Sequence, residues 1–496
     1  MTEPPIQMNL ARHVLTAGAT TPDKIALAVL HPALEPEIWS YRRLIAAIRG
    51  TASGFLQAGL VPGDRILLRL GNRPAFPIAY LGAIAAGLVP VPSSAQLTAP
   101  EITRLAATIR PALVIAGDGI ALPDHPAPVL PESALSGFAA LPPAGWHMGP
   151  PDRLAYILFT SGSSGQPRAV AHAHRAILAR RMMMEDWSGL RADDRLLHAG
   201  AFNWSFTLGT GLMDPWTIGA TALIPADGTP PAAVATLAAR HHATLLAGAP
   251  GVFRKMLQTG WPNWPALRHG LCAGERLEPA LRQEWRTRTG TDLHEAMGMS
   301  ECSTFLSGSP SRPAPTGTAG YPQRGRKVAL LDDLGRSLGA GLAGRLAVSA
   351  DDAGLCLGYL DQPQETAARI TNGWFLTGDL AVAADDGAIA MLGRTDDLMN
   401  AGGFRVAPPE IETPLSQVAQ AGDLAVAEIT LRAGVSIIAA FWTGTAPEEA
   451  LRDKAASDLA GYKQPRAYIH LDALPRTATG KINRRALRET HSKDRL

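Results

Sequence analysis

The chain contains 496 residues, of which 46% are hydrophobic and 18% are charged. This length is too great for one hydrophobic core, so we expect at least two domains, and the composition leaves no room for extensive disorder. The 46 basic and 44 acidic residues nearly cancel to a net charge of +2, and no dense block of Lys and Arg is present. The charge therefore gives no support to a nucleic-acid partner.

The cysteines and the N-terminal residues indicate the cellular compartment in which the protein is expected. Cys272, Cys302 and Cys356 lie far apart, and an odd number without a C-x-x-C pair is typical of a reduced cytosolic protein. Residues 1–18 contain no apolar core of a signal peptide. We therefore predict a cytoplasmic location.

One uncharged stretch, residues 74–100, needs to be distinguished from a membrane span. Pro and Gly interrupt it before about 20 consecutive apolar residues accumulate, which is the length that a spanning helix needs. We predict instead a buried helix over residues 78–86, followed by a core strand over residues 88–91.

Apolar segments of strand length alternate with segments of helix length through the first part of the chain. Strands are predicted over residues 65–70, 112–116, 155–159, 221–224 and 244–247. Helices are predicted over residues 41–58, 175–184 and 231–241. This alternation predicts an α/β fold with parallel strands.

The pattern changes from about Gly317 to short strands separated by Gly-rich turns, at residues 327–331, 344–348 and 388–391. These strands indicate a smaller, β-rich subdomain. We therefore predict a large N-terminal domain over residues 1–395, made of layered α/β subdomains and this β-rich subdomain. A small α+β C-terminal domain is predicted over residues 396–496.

A Ser- and Gly-rich loop follows the predicted strand at residues 155–159. Its residues are Thr160, Ser161, Gly162, Ser163, Ser164, Gly165, Gln166, Pro167 and Arg168. The two glycines permit a tight turn with inward N–H groups, the hydroxyls add donors, and Arg168 adds positive charge, which suits a polyphosphate. A flexible linker would not follow an apolar strand directly and lead into a helix. The loop lacks the Walker A pattern, so an ordinary P-loop NTPase is excluded.

This loop resembles the signature loop of the adenylate-forming superfamily, which includes acyl- and aryl-CoA synthetases, peptide-synthetase adenylation domains and firefly luciferase. Arg168 stands where the family's loop ends in Lys. Four further segments follow in the family's order. EAMGMSE at 295–301 is similar to Y-G-x-T-E, WFLTGD at 374–379 to W-[FY]-x-T-G-D, GRTDD at 393–397 to G-R-x-D-D, and LPRTATGKI at 474–482 to L-P-R-T-x-T-G-K.

The resemblance implies roles for individual residues. Glu301 would hold Mg²⁺, and Arg168 and the catalytic Lys481 would add positive charge around the reacting phosphate. Contacts to ATP or AMP are implied for Thr160, Ser161, Gly162, Ser163, Ser164, Gly165, Gly274, Glu275, Arg276, Glu295, Ala296, Met297, Gly298, Ser300, Asp379 and Arg394. Asp379 would accept hydrogen bonds from the ribose, and Met297 replaces the aromatic residue that stacks on adenine.

In the CoA ligases of this family the last domain is mobile and turns between the two half-reactions. The resemblance places the hinge at Asp396. It also implies a pantetheine tunnel lined by Gly402, Gly403 and Phe404, because only Gly lets a thin thiol arm pass close to the backbone.

Residues 201–206 (AFNWSF) occupy the segment that shapes the acyl pocket in the family. The predicted lining residues are Phe202, Trp204, Phe206 and Gly298. The aromatic residues, followed by Gly209 and Gly211, suggest an apolar cavity with planar walls, although ordinary core packing stays an open alternative. Peptide-synthetase domains have an Asp in this segment for the substrate ammonium, whereas Asn203 is neutral, which favours a plain aryl or aliphatic acid.

Two other patterns carry no separate function. The G-x-G-x-x-G match at residues 339–344 leads into a predicted strand instead of a helix, so a dinucleotide site is not expected. His172 and His174, like the pair His241 and His242, lack Cys or Asp partners at metal-binding spacing.

We predict an ATP-dependent carboxylic acid–CoA ligase, loosely closest to benzoate-type ligases, that forms acyl-CoA, AMP and pyrophosphate through an acyl-adenylate. The substrate would be an aromatic or short- to medium-chain acid, with Mg²⁺ as cofactor and ATP and CoA as co-substrates. No nucleic-acid or membrane partner is expected, and a homodimer is one open oligomeric state. Two alternatives stay open, namely an enzyme that loads a carrier-protein phosphopantetheine and a non-catalytic nucleotide-binding regulator.

Overall fold

A computed structural model of the chain describes residues 5–161, 167–275, 277–397, 399–401, 404–432, 435–459, 461, 463–477 and 480–492. The chain divides into two compact units. The first unit contains Met1–Val328 and Val348–Phe375, and the second contains Ala329–Ala347 and Leu376–Leu496. The predicted domain boundary between residues 395 and 396 stays a prediction.

The largest sheet of the first unit has nine strands. In spatial order they are Tyr321–Pro322, Ser303–Ser307, Leu293–Met299, His269–Ala273, Leu245–Gly248, Arg195–His198, Thr221–Pro225, Ile25–Leu30 and Glu37–Ser40. The six central strands pair in parallel, and the strands beyond them at both edges pair antiparallel. Parallel central strands are buried on both faces and therefore consist of nearly continuous apolar residues, which confirms the predicted α/β class.

Two smaller sheets complete the main strands of the first unit. The four-stranded sheet is wholly parallel, in the order Val89–Pro92, Arg65–Arg69, Leu113–Ala116 and Val129–Pro131. The three-stranded sheet is antiparallel, in the order Gly358–Tyr359, Pro167–Ala173 and Leu154–Ser161. A further short strand is Ile370–Thr371.

The helices of the first unit lie mainly between strands in sequence, as the alternating pattern predicts. They are Leu10–Ala19, Tyr41–Gln57, Ala75–Ala85, Ala99–Ile109, Leu135–Ala139, Ala176–Met183, Asp214–Thr217, Pro231–Arg240, Pro250–Leu257, Pro279–Thr289 and Pro363–Ala368. π-Helical turns occupy Met184–Ser188 and Thr207–Met213. The helix Ala75–Ala85 is buried on all sides, which confirms the predicted core helix in the uncharged stretch. Of the helices that the structure describes, none has the length and apolar character needed to cross a membrane.

The second unit is rich in β-structure. The strands that lie wholly or mainly in it are Val328–Leu331, Ala343–Ser349, Trp374–Ala383, Ile389–Arg394, Met399–Ala401, Phe404–Val406, Leu424–Arg432, Val435–Trp442 and Ala467–His470. Its helices are Pro408–Leu415, Glu448–Asp458 and Arg484–His491. A separate core of apolar side chains, including Ile411, Val426 and Trp442, packs the helices of the C-terminal part against its sheet.

Candidate active site

Glu301 lies in the turn between two antiparallel strands of the first unit, Leu293–Met299 and Ser303–Ser307. Its side chain is buried, and its Oε1 atom accepts a hydrogen bond of 2.8 Å from the phenol of Tyr359. Burial and the neighbouring Glu301 raise the pKa of Tyr359, so the phenol stays a donor at neutral pH. The buried carboxylate is therefore fixed by a charge-assisted hydrogen bond.

Gly298 allows this turn to close. A Cβ atom at Gly298 would lie 2.5 Å from the carbonyl oxygen of Ser303 and 2.6 Å from the Cα of Thr304. Both are backbone atoms that cannot move aside easily, so a larger residue would displace the strand that follows Glu301. The sequence pattern singles out Gly298 as part of the acyl pocket, and its contacts with the paired strand give it a structural role as well.

His172 supports the same turn from the neighbouring sheet. Its Nε2 atom lies 2.8 Å from the carbonyl oxygen of Ser300, and the ring of Tyr156 stacks on it at 4.7 Å. Burial lowers the pKa of His172 to about 4, while the bond to Ser300 opposes this decrease. A neutral imidazole that donates from Nε2 satisfies the Ser300 carbonyl, so His172 holds the turn that carries Ser300 and Glu301.

Arg168 is the second residue of the strand Pro167–Ala173, and it lies opposite Thr160 on the neighbouring antiparallel strand. Its guanidinium forms an ion pair with Glu365, and only 13% of the Arg168 side chain is exposed. The same guanidinium lies 5.3 Å from the centre of the Tyr359 ring. Tyr359 therefore contacts both Arg168 and Glu301, the two residues that the sequence assigns to the metal and phosphate chemistry.

The rest of the predicted phosphate loop is only partly described. Thr160 is half-buried at the end of the strand Leu154–Ser161. The predictions for Gly162, Ser163, Ser164 and Gly165, and for the side chain of Ser161, lie outside the described residues. Arg276 lies outside them as well.

The predicted adenine segment and the strand beside it are held together by Glu295. Its Oε1 atom accepts from the backbone N–H of Leu277 at 3.0 Å, and Arg282 lies 3.3 Å from its Oε2 atom. The carboxylate of Glu295 therefore orders the loop that contains Gly274 and Glu275. Ala296 is buried beside it, and Met297 is half-buried.

Gly274 and Trp204 meet at the predicted acyl pocket. Gly274 has a φ of 97°, and a Cβ atom on it would lie 2.7 Å from the indole of Trp204. Trp204 packs edge-to-face against Phe206, with 5.2 Å between ring centres. Phe202 lies in a different apolar cluster, where its ring is 5.3 Å from that of Phe76. The structure thus brings together two of the three predicted aromatic wall residues.

The segment before these aromatic residues is fixed by Asn72. Its Oδ1 atom accepts from the N–H of Phe202 at 2.9 Å, and its Nδ2 atom donates to the carbonyl of Gly200 at 2.9 Å. The backbone of Asn72 in turn donates to Asp227 at 2.9 Å. These hydrogen bonds fix the backbone at the start of the predicted acyl-pocket segment, directly after the strand Arg195–His198.

Gly209 and Gly211, which the sequence suggests lie beside an open cavity, instead lie against other side chains. A Cβ atom on Gly209 would lie 2.2 Å from the guanidinium carbon of Arg180, and one on Gly211 would lie 2.8 Å from His198. These glycines therefore make room for two buried polar side chains. Arg180 forms a bidentate ion pair with Asp214, in which Nε donates to Oδ1 and Nη2 donates to Oδ2, each at 2.7 Å.

His198 is fully buried beside Phe206, with 4.4 Å between the ring centres. Neither of its ring nitrogens has a hydrogen-bond partner among the described residues. Burial lowers the pKa of His198 to about 3, and the nearby Arg180 adds to this decrease. The ring is therefore neutral at physiological pH.

In the second unit, Asp379 and Arg394 come from two predicted motifs. The Nη1 atom of Arg394 donates to the carbonyl of Thr377 at 3.0 Å and to Oδ1 of Asp379 at 3.2 Å. Burial raises the pKa of Asp379, while Arg394 and, more weakly, Lys481 oppose this increase.

The motif around Lys481 forms a small turn in which Arg476 and Ile482 pair as a β-bridge and the N–H of Thr477 donates to the Lys481 carbonyl at 2.7 Å. Beside the predicted hinge, Asp397 pairs with Arg488 at 3.0 Å. The predictions for Gly402 and Gly403, and for the side chains of Asp396 and Phe404, lie outside the described residues.

Several supporting residues of the site stand outside the sequence motifs, namely Tyr359, Glu365, His172 and Asn72. Tyr359 lies 58 positions after Glu301, and no spacing rule connects the two. His172 is recognisable only as a histidine without metal partners. Among the residues that the structure describes, no group of three or more His, Cys, Asp or Glu side chains could hold a metal ion.

The chain matches the family model of the AMP-binding enzymes over residues 14–360, more than half of its length, and therefore belongs to that family. Benzoate–CoA ligase of Thauera aromatica is 29% identical over 95% of this chain and 91% of that protein. A mitochondrial acyl-coenzyme A synthetase of Homo sapiens is 27% identical over 98% of this chain and 91% of that protein.

Among solved structures, a benzoate CoA ligase from Burkholderia xenovorans LB400 superposes with a TM-score of 0.84 at 26% identity, covering 97% of this chain and 100% of that chain. The predicted membership of the adenylate-forming superfamily is thereby confirmed. So is the predicted class, an AMP-forming acid–CoA ligase that uses ATP and CoA.

Proposed function

We propose that this chain activates an aromatic carboxylic acid and transfers it to CoA. In the first step the carboxylate attacks the α-phosphate of ATP, which forms the acyl-adenylate and releases pyrophosphate. In the second step the CoA thiol attacks the acyl carbon, a thioester forms, and AMP leaves with the acyl–oxygen electron pair while the thiol proton passes to solvent.

The observation that carries this proposal is the contact of Tyr359 with both Glu301 and Arg168. Two anions must meet in the first step, so positive charge must be held beside the reacting phosphate. Arg168 supplies a permanent charge, and Glu301 is suited to hold the Mg²⁺ ion that would supply more.

The residues present fit Mg²⁺. This ion takes oxygen ligands and is usually bound through one or two carboxylates together with phosphate oxygens and water. Glu301 offers a buried carboxylate, and in the hydrogen bonds of the described residues Tyr359 occupies only its Oε1 atom. When bound, the metal would neutralise charge on the phosphates.

Three further residues are proposed to contact ATP. Asp379 would accept from the ribose hydroxyls, with Arg394 beside it, and Lys481 would stabilise the charge that develops in the first step. We propose that the predicted domain over residues 396–496 then turns about Asp396. This rotation would replace Lys481 with the hairpin around Gly402 for the second step.

An aromatic acid is the substrate class that the pocket supports best. Trp204 and Phe206, whose rings pack edge to face, would form two perpendicular walls of this pocket, and Gly274 lets the indole lie directly on the backbone. Asn203 offers no charge for a substrate ammonium. The named activity of the Thauera aromatica and Burkholderia xenovorans relatives, benzoate–CoA ligation, points to the same class.

We place the enzyme in the cytoplasm, where its three buried thiols stay reduced and both co-substrates are available.

The test of the proposed ligase activity is pyrophosphate release by the wild-type protein with benzoates and with short- to medium-chain fatty acids, each with and without CoA. We expect acid-dependent release with benzoates and formation of aryl-CoA when CoA is present.

Other outcomes would redirect the proposal. Pyrophosphate release without aryl-CoA, together with transfer to an added carrier-protein phosphopantetheine, would show that the acceptor is a carrier protein and not CoA. Pyrophosphate release with fatty acids alone would show that the substrate is not an aromatic acid. ATP binding without release for any acid would contradict an enzymatic function.

A further inference from the structure

Four side chains of the first unit form a continuous contact chain, and two of them, Tyr359 and Glu365, lie outside the motifs. Glu365 pairs with Arg168, the Arg168 guanidinium lies 5.3 Å from the centre of the Tyr359 ring, and the Tyr359 phenol donates to Glu301 at 2.8 Å. The ends of this chain differ in exposure, because Glu301 is buried whereas the Glu365 side chain is 34% exposed.

The ion pair restricts Arg168. A free arginine side chain samples many rotamers, and fixing it costs conformational free energy that would otherwise oppose ATP binding. Glu365 on one side and the aromatic face of Tyr359 on the other hold the guanidinium before the nucleotide arrives. Arginine suits this place, because its planar guanidinium presents several donors to a carboxylate while it lies over a ring.

The phenol restricts Glu301 in the same way. A carboxylate that accepts from Tyr359 through Oε1 is held in one rotamer, with Oε2 left for an ion. The backbone of Tyr359 is itself fixed, because its N–H donates to Thr366 Oγ1 at 2.9 Å. Thr366 follows Glu365 directly on the helix Pro363–Ala368, so one short helix contacts both Tyr359 and Arg168.

We infer that Tyr359 and Glu365 are positioning residues for the adenylation step, Tyr359 acting through Glu301 on the metal ion and Glu365 acting through Arg168 on the phosphates. This inference rests on the proposed function. It also accounts for the arginine at position 168, since a lysine would keep the charge but lacks the planar fork of donors that fixes the group in one orientation.

The first test is metal binding. The probe is Mn²⁺ in the presence of ATP and without acid, titrated by electron paramagnetic resonance. We expect Tyr359→Phe, which removes only the hydroxyl, to weaken Mn²⁺ binding roughly 10-fold to 100-fold, the range typical of lost outer-shell partners. The matched control is Tyr321→Phe, another tyrosine with an arginine, Arg312, over its ring. Unchanged Mn²⁺ affinity in Tyr359→Phe would overturn the role of Tyr359.

The second test separates positioning from general stability. We expect Tyr359→Phe and Glu365→Gln to slow benzoyl-adenylate formation about tenfold or more, and to leave CoA transfer from added benzoyl-adenylate within about twofold of wild type. The control is Glu278→Gln, which removes an exposed ion pair with Arg254. Equal losses in both half-reactions would indicate a merely structural role and overturn the inference.

A double-mutant cycle then tests the route through Arg168. If Glu365 acts through Arg168, Glu365→Gln should have almost no further effect on adenylation in an Arg168→Met background. A full additional loss in that background would contradict this route. Should wild type form no adenylate with any acid, the proposed function fails, whereas the Mn²⁺ titration with ATP still decides whether Tyr359 positions Glu301.

Discussion

Arg394 and Asp379 sit directly opposite each other on paired antiparallel strands, with 3.2 Å between Nη1 and Oδ1. Residues at opposite positions of such a pair project from the same face of the sheet. Strand register therefore joins two motifs that are 15 positions apart in the chain. Thr377 supports the pair, because its hydroxyl accepts from the N–H of Asp379 at 3.1 Å.

Asp379→Asn should weaken ATP binding about 10-fold to 100-fold, because hydrogen bonds to a charged acceptor contribute about 1.5–3 kcal/mol. The amide keeps the shape of the side chain but removes its charge and one acceptor. The measurement is the KM for ATP in pyrophosphate release. Asp332→Asn, which removes the partner of Arg336 on the surface of the same unit, is the control. A KM equal to that of wild type would contradict the ribose-binding role.

Trp204→Ala should change which acids are used. Removing the indole opens space above Gly274 and deletes one of the two proposed walls of the acyl pocket, so kcat/KM for benzoate should fall about tenfold or more. The values for medium-chain acids should fall less, because their flexible chains do not need a planar wall. Trp39→Ala, at a half-buried tryptophan of the edge strand Glu37–Ser40, is the control. A uniform loss for all acids would show that Trp204 is only part of the core.

His198 should make the protein sensitive to acid. Its pKa in the folded chain is about 3, below the ordinary value of 6.5, so the unfolded chain takes up the proton first as pH falls. The free energy of unfolding should therefore decrease from pH 6.5 to about pH 3, by about 1.4 kcal/mol per pH unit for one such histidine. His198→Leu should remove that share, which urea denaturation at pH 7, 6 and 5 can measure. The same pH dependence in both proteins would contradict this assignment.

Much of the first unit is predictable from sequence because its central strands are parallel and buried, and such strands consist of apolar runs of recognisable length. The helix Tyr41–Gln57 and the strand Thr221–Pro225 agree with their predicted bounds to within a residue. The division into two units does not follow from hydrophobic periodicity, which reports only local structure. The second unit combines Ala329–Ala347 with Leu376–Leu496, although residues 348–375 between them belong to the first unit.

The candidate site is predictable only where a motif is local. Glu301 and Arg168 are identifiable from the residues around them, whereas Tyr359 and Glu365 reach the site through long-range packing and stand in no motif quoted for the family. The glycines show a second limit. Gly209 and Gly211 suggest open space, but the sequence does not reveal that Arg180 and His198 fill it.

We propose that Lys481 stabilises the charge that develops in adenylate formation. The most direct measurement compares Lys481→Ala with wild type in both half-reactions, with Lys454→Ala, a lysine paired with Asp458 on a surface helix, as the control. We expect pyrophosphate release to fall about 10²-fold to 10³-fold in Lys481→Ala, while CoA transfer from added benzoyl-adenylate stays near the wild-type rate. Pyrophosphate release at the wild-type rate in Lys481→Ala would contradict the claim.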